Sequence, residues 1–254
     1  MFSHLFSFWR TRTQRKSRVP EGRRVYAIGD IHGRLDLLEA LHDQIAEDVA
    51  TAPERTKTIV YLGDYIDRGI DSRGVIECLV GAPLEQVSPI FLLGNHEETL
   101  LHFLEDFMVG ESWLAFGGDA TLYSYGVQLD GLSREQRTMI EAQLNLRENM
   151  PEAHLAFLRG LESHHRIGDY FFAHAGIRPG VPLDKQTTED LIWIRDVFLK
   201  STADHGAVVV HGHSISLDAE DLPNRINIDT GAYATNVLTC LVLEGADHWL
   251  LQTG

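Results

Sequence analysis

The chain has 254 residues, which is enough for one large domain or two small ones with a buried core. Hydrophobic residues make up 44% and charged residues 23%, as in ordinary soluble globular proteins, and no apolar run reaches the roughly 18 residues of a membrane helix. A formal net charge of −15 argues against nucleic acid as a partner, because two polyanions repel each other. The two cysteines, Cys78 and Cys240, provide no disulfide framework, so we expect reduced thiols and a cytoplasmic location.

The first 24 residues differ from the rest of the chain. They contain seven Arg or Lys residues and a single acid, Glu21. Apolar residues from Phe2 to Trp9 come first and the basic cluster follows, which is the reverse of a secretory signal. We therefore expect residues 1–24 to form a mobile basic arm, whose aromatic and basic residues would also permit weak contact with an anionic membrane surface. Residues 25–254 are expected to form the folded domain.

Strands and helices are predicted to alternate at the start of this domain. Apolar runs predict strands at residues 25–28, 58–62 and 90–93. Leucines at near-helical spacing predict a helix after the first strand, and Asp71 is typical of the N-cap of a helix after the second. This alternation indicates an α/β fold with at least partly parallel strands.

The pattern changes at about residue 97. From there to about residue 160 helical signals dominate and strands are scarce, which predicts a mostly helical insertion. Later apolar runs predict four more strands, at residues 170–173, 207–210, 225–228 and 237–243. The insertion would therefore interrupt a continuous α/β core.

Five short polar clusters each follow a predicted strand. They are Gly29-Asp30-Ile31-His32-Gly33, Gly63-Asp64-Tyr65-Ile66-Asp67-Arg68-Gly69, Gly94-Asn95-His96-Glu97, His174-Ala175-Gly176 and His211-Gly212-His213. Each cluster taken alone is more often a turn or a buried structural histidine than a ligand site. Because ligands bind beyond the carboxyl ends of strands in open α/β sheets, five such clusters indicate one shared site. Hard oxygen and imidazole donors without cysteine suit Mn, Fe or Zn.

The motif order GDxHG, GDxxDRG, GNHE, HAG and GH resembles the phosphoprotein phosphatase branch of the calcineurin-like metallophosphoesterases. The resemblance covers residues 25–254, and further segments are similar to the bacterial members. These segments are residues 113–118, 174–180, 191–195 and 228–232. The resemblance implies a metallophosphoesterase domain of two mixed β-sheets, packed as a sandwich and flanked by helices.

The resemblance also implies two divalent metal ions, Mn²⁺ first and Fe or Zn as alternatives. The six implied ligands are Asp30, His32, Asp64, Asn95, His174 and His213. Asp30 and His32 would bind the first ion, Asp64 would bridge the two ions, and the other three ligands would complete the second site. A hydroxide between the ions would attack the phosphorus atom of a phosphate ester.

Four more residues receive roles from the same motifs. Arg68 and Arg195 would hold the phosphoryl oxygens and neutralise their charge. His96 would protonate the leaving alkoxide, because an alkyl alkoxide is a poor leaving group without a general acid. Asp67 would hydrogen-bond to His96 from behind.

The remaining polar and aromatic residues near the motifs receive structural interpretations. His211 is expected in the pocket rather than on a metal ion. Glu97 and Glu98 are expected to begin a helix, where acidic side chains are favourable. The insertion also holds four aromatic residues, Trp113, Phe116, Tyr123 and Tyr125. We expect these in the core, with stacking on a nucleobase as the alternative.

Intact Asp67-Arg68-Gly69 favours a serine/threonine protein phosphatase, with phosphoproteins as its substrates. The alternative is a nucleotidase-type hydrolase of diadenosine tetraphosphate or related nucleotides, whose second motif usually lacks the intact Asp-Arg-Gly. A third hypothesis, a non-catalytic binding scaffold, is disfavoured because no implied ligand is missing.

Overall fold

The computed structural model describes residues 17–81, 84–129 and 136–254. These residues contain ten strands in two five-stranded sheets. The strands are β1 Arg23–Ile28, β2 Thr56–Tyr61, β3 Val87–Phe91, β4 His164–Ile167, β5 Tyr170–Ala173, β6 Val208–His211, β7 Glu220–Leu222, β8 Arg225–Asn227, β9 Thr239–Glu244 and β10 Asp247–Gln252. The helices are α1 Leu35–Ala50, α2 Ser72–Val80, α3 Asn95–Glu105, α4 Gly110–Ala115, α5 Gly118–Ser124, α6 Gln136–Asn149, α7 Glu152–Arg159, α8 Thr188–Trp193, α9 Asp196–Leu199 and α10 Ala232–Thr235.

Both sheets are mixed, as predicted. The first has the order β10-β9-β1-β2-β3, in which β1, β2 and β3 are parallel and β9 and β10 are antiparallel. The second has the order β4-β5-β6-β8-β7, in which β5, β6 and β8 are parallel. The parallel strands lie in the middle of the second sheet, whereas in the first sheet β3 is the edge strand. Within each sheet the carboxyl ends of the parallel strands lie at the same end.

The two sheets pack face to face, and the alternation of side chains along β1 shows how. Val25 and Ala27 belong to the core between the sheets, together with Phe172 of β5. Tyr26 and Ile28 point the other way and pack in the core beneath the helices. Because successive strand residues face opposite sides, the apolar run at residues 25–28 of β1 is buried on both faces.

Helices cover the outer faces of the sandwich. Leu38 and Leu41 of α1 pack on the first sheet, while Ile192 of α8 and Phe198 of α9 pack on the second. The described chain between β3 and β4 is helical, from α3 to α7, with a 3-10 turn at Phe107–Val109. The architecture is therefore the predicted α/β sandwich of two mixed sheets flanked by helices.

The folded part of the chain begins before residue 25. Val19 is buried, and its N–H donates to the carbonyl of Gly245 at 2.9 Å. The N–H of Arg18 donates to the carboxylate of Asp169 at 3.0 Å, and Arg24 belongs to β1. The end of the predicted arm is thus packed on the domain. Residues 1–16 lie outside the described residues, so their mobility and membrane contact stay predictions.

Two simpler expectations concern the cysteines and the membrane. Cys78 and Cys240 are both free thiols, and Cys240 is buried in the core. None of the helices in the described ranges has the length and apolar character needed to cross a bilayer.

Candidate metal centre

The polar clusters meet where the central strands end. The loop after β1 carries Asp30 and His32, and the loop after β2 carries Asp64. Asn95 and His96 form the first turn of α3, directly after β3, while β5 and β6 lead into His174 and His213. Since these strands are parallel neighbours within their sheets, their carboxyl ends deliver all of these side chains to one place.

Asp64 lies at the centre of two groups of potential metal ligands. One group consists of His32, Asp64 and His96, and the other of Asp64, His174 and His213. Within each group the ligand atoms lie within 4.8 Å of one another. His32 Nε2 is 3.5 Å from Asp64 Oδ2, whereas His174 Nε2 is 3.3 Å from Asp64 Oδ1. Each carboxylate oxygen therefore faces a different group, as a bridging ligand requires.

The imidazole rings are held in the tautomer that suits a metal ion. His32 Nδ1 lies 2.8 Å from the carbonyl of Ile66, and His174 Nδ1 lies 2.9 Å from the carbonyl of Leu62. A carbonyl only accepts hydrogen bonds, so in each neutral ring the proton is assigned to Nδ1 and the lone pair to Nε2. That lone pair then faces the carboxylate of Asp64. Two hydrogen-bond acceptors that face each other repel unless a cation lies between them. This arrangement of imidazole and carboxylate groups therefore fits a metal ion.

The second group includes a third type of donor. His174 Nε2 lies 3.0 Å from Asn95 Oδ1 and 3.2 Å from His213 Nδ1. Burial, and then the neighbouring His174, lower the pKa of His213 to about 2, so this imidazole is neutral. Neutral imidazole and amide oxygen are suitable ligands for Mn, Fe or Zn.

Asp30 is placed differently from the other implied ligands, outside both of these groups. Its carboxylate accepts the backbone N–H of His213, at 3.0 Å to Oδ2 and 3.2 Å to Oδ1. Burial, followed by the charges of Asp229 and Asp64, raises its pKa well above the ordinary value. Three buried carboxylates this close repel one another, and divalent cations would relieve that repulsion. The role of Asp30 as a ligand stays a prediction.

His96 and Asp67 form the expected pair. His96 Nδ1 lies 2.6 Å from Asp67 Oδ2, which also accepts the indole N–H of Trp113 at 2.9 Å. Thr121 donates to the other oxygen of Asp67 at 2.6 Å. Burial opposes a charge on His96, but Asp64 and then Asp67 outweigh it and raise the pKa of the imidazole. The ring is thus oriented, and its raised pKa favours the protonated form that a general acid needs.

The two arginines lie near the centre. Arg68 Nη2 is 3.3 Å from His96 Nε2, and the guanidinium lies 4.9 Å from the centre of the Tyr233 ring. Arg195 precedes α9, and its charge adds to burial in depressing the pKa of His213. Both cations are therefore close to the candidate ligands.

Comparison with known proteins identifies the family. The model of the calcineurin-like phosphoesterase family matches residues 23–237. The chain belongs to this family. The asymmetrical bis(5'-nucleosyl)-tetraphosphatase PrpE of Oceanobacillus iheyensis is 28% identical to this phosphoesterase over 232 residues, which is 84% of this chain and 85% of the relative. The PrpE of Bacillus subtilis is 27% identical over 231 residues, or 84% and 87% of the two chains.

Solved structures agree on the fold. The crystal structure of a proposed diadenosine tetraphosphatase matches with a TM-score of 0.61 at 20% identity, covering 92% of this chain and 95% of its own. A cold-active protein-tyrosine phosphatase of a psychrophilic Shewanella matches with a TM-score of 0.57 at 16% identity, covering 93% and 82%. Fold likeness at these identities does not select a substrate. Family membership does make this chain a metal-dependent phosphoesterase, and hence a hydrolase.

The backbone of this phosphoesterase is strained at its centre. Five non-glycine site residues in the described ranges have φ in the left-handed region, between 48° and 69°. They are His32, Asp64, Asp67, Arg68 and His213. Side chains other than glycine avoid this region, at a cost of about 1–3 kcal/mol per residue. The strained residues lie in very short loops that follow the strands, and they include three of the candidate ligands.

Glu97 has a role that the sequence did not reveal. Its buried carboxylate accepts backbone N–H groups of Asp64, Tyr65, Ile66 and Gly94, at 2.8–3.2 Å. It therefore fixes the loop that presents Asp64, besides standing in the first turn of α3. The available signal was its position three residues after Gly94, where an acid reaches back to backbone donors.

Asp229 is a second unpredicted neighbour of the site. It accepts the N–H of Gly231 at 2.9 Å, and its charge acts on Asp30. Burial, and the charge of Asp64, raise its pKa to about 6. The sequence gives no sign of this role, because the effect of the Asp229 charge on Asp30 depends on tertiary folding.

His211 lies beside the site, as expected. It is fully buried, its ring packs 5.0 Å from that of Phe198, and its Nε2 lies 3.3 Å from Arg225 Nη1. Burial lowers its pKa to about 3, so it is neutral. It belongs to neither ligand group and supports the loop that carries His213.

Proposed function

We propose that this phosphoesterase hydrolyses bis(5'-nucleosyl) tetraphosphates. The observation that carries the proposal is the identity of 28% and 27% to bis(5'-nucleosyl)-tetraphosphatases, spread over 84% of this chain. The motifs alone favoured a protein phosphatase, whereas these relatives favour the alternative. Phosphoprotein substrates therefore become the second candidate.

In this proposal the six implied ligands hold two divalent cations. Asp64 would be shared by the two ions, Asp30 and His32 would complete one site, and Asn95, His174 and His213 would complete the other. When bound, the cations lower the pKa of a water molecule and neutralise charge on the phosphoryl oxygens. Mn²⁺ is the proposed activator, since the ligands are hard oxygens and imidazoles.

Arg68 and Arg195 would hold the reacting phosphoryl group. A guanidinium binds two phosphate oxygens at once and stays charged throughout the reaction. In a chain of net charge −15, these arginines and the two cations supply the local positive potential that attracts an anionic substrate.

His96 would carry the proton for the leaving oxygen. Asp67 fixes the ring through Nδ1, so Nε2 points towards Arg68 and the phosphoryl position. Trp113 and Thr121 saturate the remaining positions on Asp67, which keeps the pair rigid. Such assistance is typically worth about 10²–10⁴-fold in rate.

This same pair supports the second candidate, a phosphoserine or phosphothreonine phosphatase. A serine alkoxide is strongly basic and departs slowly unless it is protonated. A nucleotide leaving group departs as a stabilised phosphate anion and needs less help. The precisely held His96–Asp67 pair is therefore of more use to an alkyl phosphate.

The experiment is a comparison of kcat/KM for diadenosine tetraphosphate and a phosphoserine peptide, with the same Mn²⁺-loaded enzyme. An advantage of more than about 100-fold for the dinucleotide, near 2.7 kcal/mol in transition-state stabilisation, supports the proposal. The reverse preference refutes it and supports the second candidate. An Asp64→Asn variant assayed in parallel controls for contaminating hydrolases.

A further inference from the structure

Two half-exposed aromatic side chains flank the metal centre, one beside each ligand group. Tyr233 is 36% exposed, and its ring lies edge-on to His32 at a centroid distance of 5.4 Å. Trp193 is 37% exposed and lies edge-on to His213 at 6.3 Å. Since His32 and His213 belong to different groups, each of the two rings lies beside a different ligand group.

Trp193 is held in place rather than left free. Its indole N–H donates to Glu98 Oε2 at 2.7 Å, which joins the end of α8 to the first turns of α3. The preceding residues Leu191 and Ile192 are buried and anchor the helix. An exposed indole fixed at one edge loses little conformational entropy when a flat ligand packs on it.

Tyr233 is held by its surroundings in a similar way. Arg34 donates to the carbonyl of Ala232 at 2.9 Å and to Asn236 Oδ1 at 2.7 Å, which clamps both ends of α10. Arg68 lies over one face of the ring. A ligand ring that stacks on Tyr233 would therefore use the face opposite Arg68.

The other aromatic residues near the centre are less suitable. Trp113 and Tyr125 are buried, as the sequence predicted, and so cannot stack on a ligand. Phe116 and Tyr123 are exposed, contrary to expectation, at 55% and 69%. Within the described part of the chain, neither makes a ring contact with a site histidine of the kind that Trp193 and Tyr233 make.

We propose that Trp193 and Tyr233 are stacking platforms for the two nucleobases of the substrate. The inference rests on the proposed function, because a polyphosphate lying across the two cations would carry one nucleoside towards each platform. A base is uncharged and planar, so stacking binds it even on an acidic protein. Aromatic stacking strengthens binding roughly 5- to 150-fold per base.

AMP and ribose 5-phosphate provide the test, because both present a phosphomonoester on ribose and differ in the base. Each is used as a competitive inhibitor of p-nitrophenyl phosphate hydrolysis by the full Mn²⁺-loaded chain. AMP should bind more tightly by about 5- to 150-fold. In the Trp193→Ala/Tyr233→Ala double variant the two inhibition constants should agree within about twofold, since stacking is the interaction removed.

Matched variants separate stacking from damage to the centre. A disturbed metal site weakens both inhibitors equally, so the ratio of their inhibition constants stays informative. Trp193→Phe/Tyr233→Phe keeps two rings and should retain most of the preference for AMP. Tyr123→Ala removes an exposed aromatic elsewhere and should retain the full wild-type ratio.

Three results decide the matter. The stacking proposal is wrong if AMP and ribose 5-phosphate have nearly equal inhibition constants for the native protein. It is also wrong if the double alanine variant keeps the native preference for AMP. Turnover of diadenosine tetraphosphate together with a ratio of one leaves the proposed function standing and removes only the platforms. A strong preference for AMP without turnover of the dinucleotide supports the platforms and refutes the proposed function.

Discussion

Replacing Glu97 with Gln tests how the loop that carries Asp64 is held. The two side chains have the same shape, but the amide presents one acceptor and one donor where the carboxylate presents two acceptors. In the native protein Oε1 accepts from Tyr65 and Ile66, and Oε2 accepts from Asp64 and Gly94. Whichever way the amide turns, two backbone N–H groups face an N–H₂ group.

The expected loss in stability follows from this count. Each buried N–H left without an acceptor costs about 1–3 kcal/mol, so Glu97→Gln should lower the free energy of unfolding by about 2–6 kcal/mol. That is a large part of the roughly 5–15 kcal/mol that stabilises a domain. The loop carrying Asp64 should also loosen, so the variant should hold less metal.

Denaturant unfolding of the metal-free protein at pH 8 measures the first effect. At that pH Glu97 is mostly ionised, because burial and then Asp64 raise its pKa only to about 7. Elemental analysis after dialysis against limiting Mn²⁺ measures the second effect. Glu98→Gln is the matched control, since the carboxylate of this neighbouring residue is only partly buried and accepts one hydrogen bond from Trp193.

The two variants should differ clearly. We expect Glu98→Gln to lie within about 1 kcal/mol of the native protein. If Glu97→Gln is equally mild and binds the same amount of Mn²⁺, the carboxylate does not fix the Asp64 loop.

Four further predictions concern other parts of the molecule. Asp64→Asn should lower the bound Mn²⁺ measured by elemental analysis more than a change at any other ligand, because it weakens both groups; full metal content would remove Asp64 from the bridge. His96→Asn should keep the metal but lose about 10²–10⁴-fold in kcat on an alkyl phosphate and less on an aryl phosphate; metal loss would instead make His96 a ligand. Burial lowers the pKa of His42 to about 4, so the unfolded chain takes up a proton first as pH falls. The stabilising effect of neutral His42 is complete above about pH 6.5 and is lost as the pH falls towards 4. Between pH 7 and pH 5 His42 should therefore lower the free energy of unfolding of the native protein by about 2 kcal/mol, and the His42→Gln variant should not show this decrease. Deleting residues 1–16 should leave turnover of p-nitrophenyl phosphate nearly unchanged, whereas a cut at residue 22 would also remove buried Val19 and lower the melting temperature.

The central strands could be predicted because their composition alone demands burial. The predicted strand at 25–28 is the core of β1, and the one at 58–62 overlaps β2 closely. The edge strands β4 and β7 could not be predicted in this way. β4 contains His164, His165 and Arg166, and β7 is Glu-Asp-Leu, so neither has an apolar pattern. These strands exist because a neighbouring strand offers hydrogen bonds, which is a tertiary effect.

In the candidate site too, some residues could be predicted from the sequence and others depend on the tertiary structure. The order of motifs was sufficient to bring Asp64, His174 and His213 together, because strand ends of one sandwich edge must meet. The contribution of Glu97 depends on which backbone N–H groups happen to approach it. The effect of Asp229 depends on a loop near the C-terminal end of the chain coming close to Asp30, which lies near the N-terminal end. Periodicity carries no information about either approach.

The left-handed backbone at five site residues has a consequence for directed evolution. Glycine would relax each of these positions, and so would asparagine to a lesser degree. Keeping the candidate ligands and their neighbours at these positions therefore lowers the folding stability of the protein. A library of variants selected for thermal resistance alone would drift towards glycine at such positions and yield sturdier proteins with an empty centre. Any improvement of this scaffold must therefore select for turnover and heat resistance in the same round.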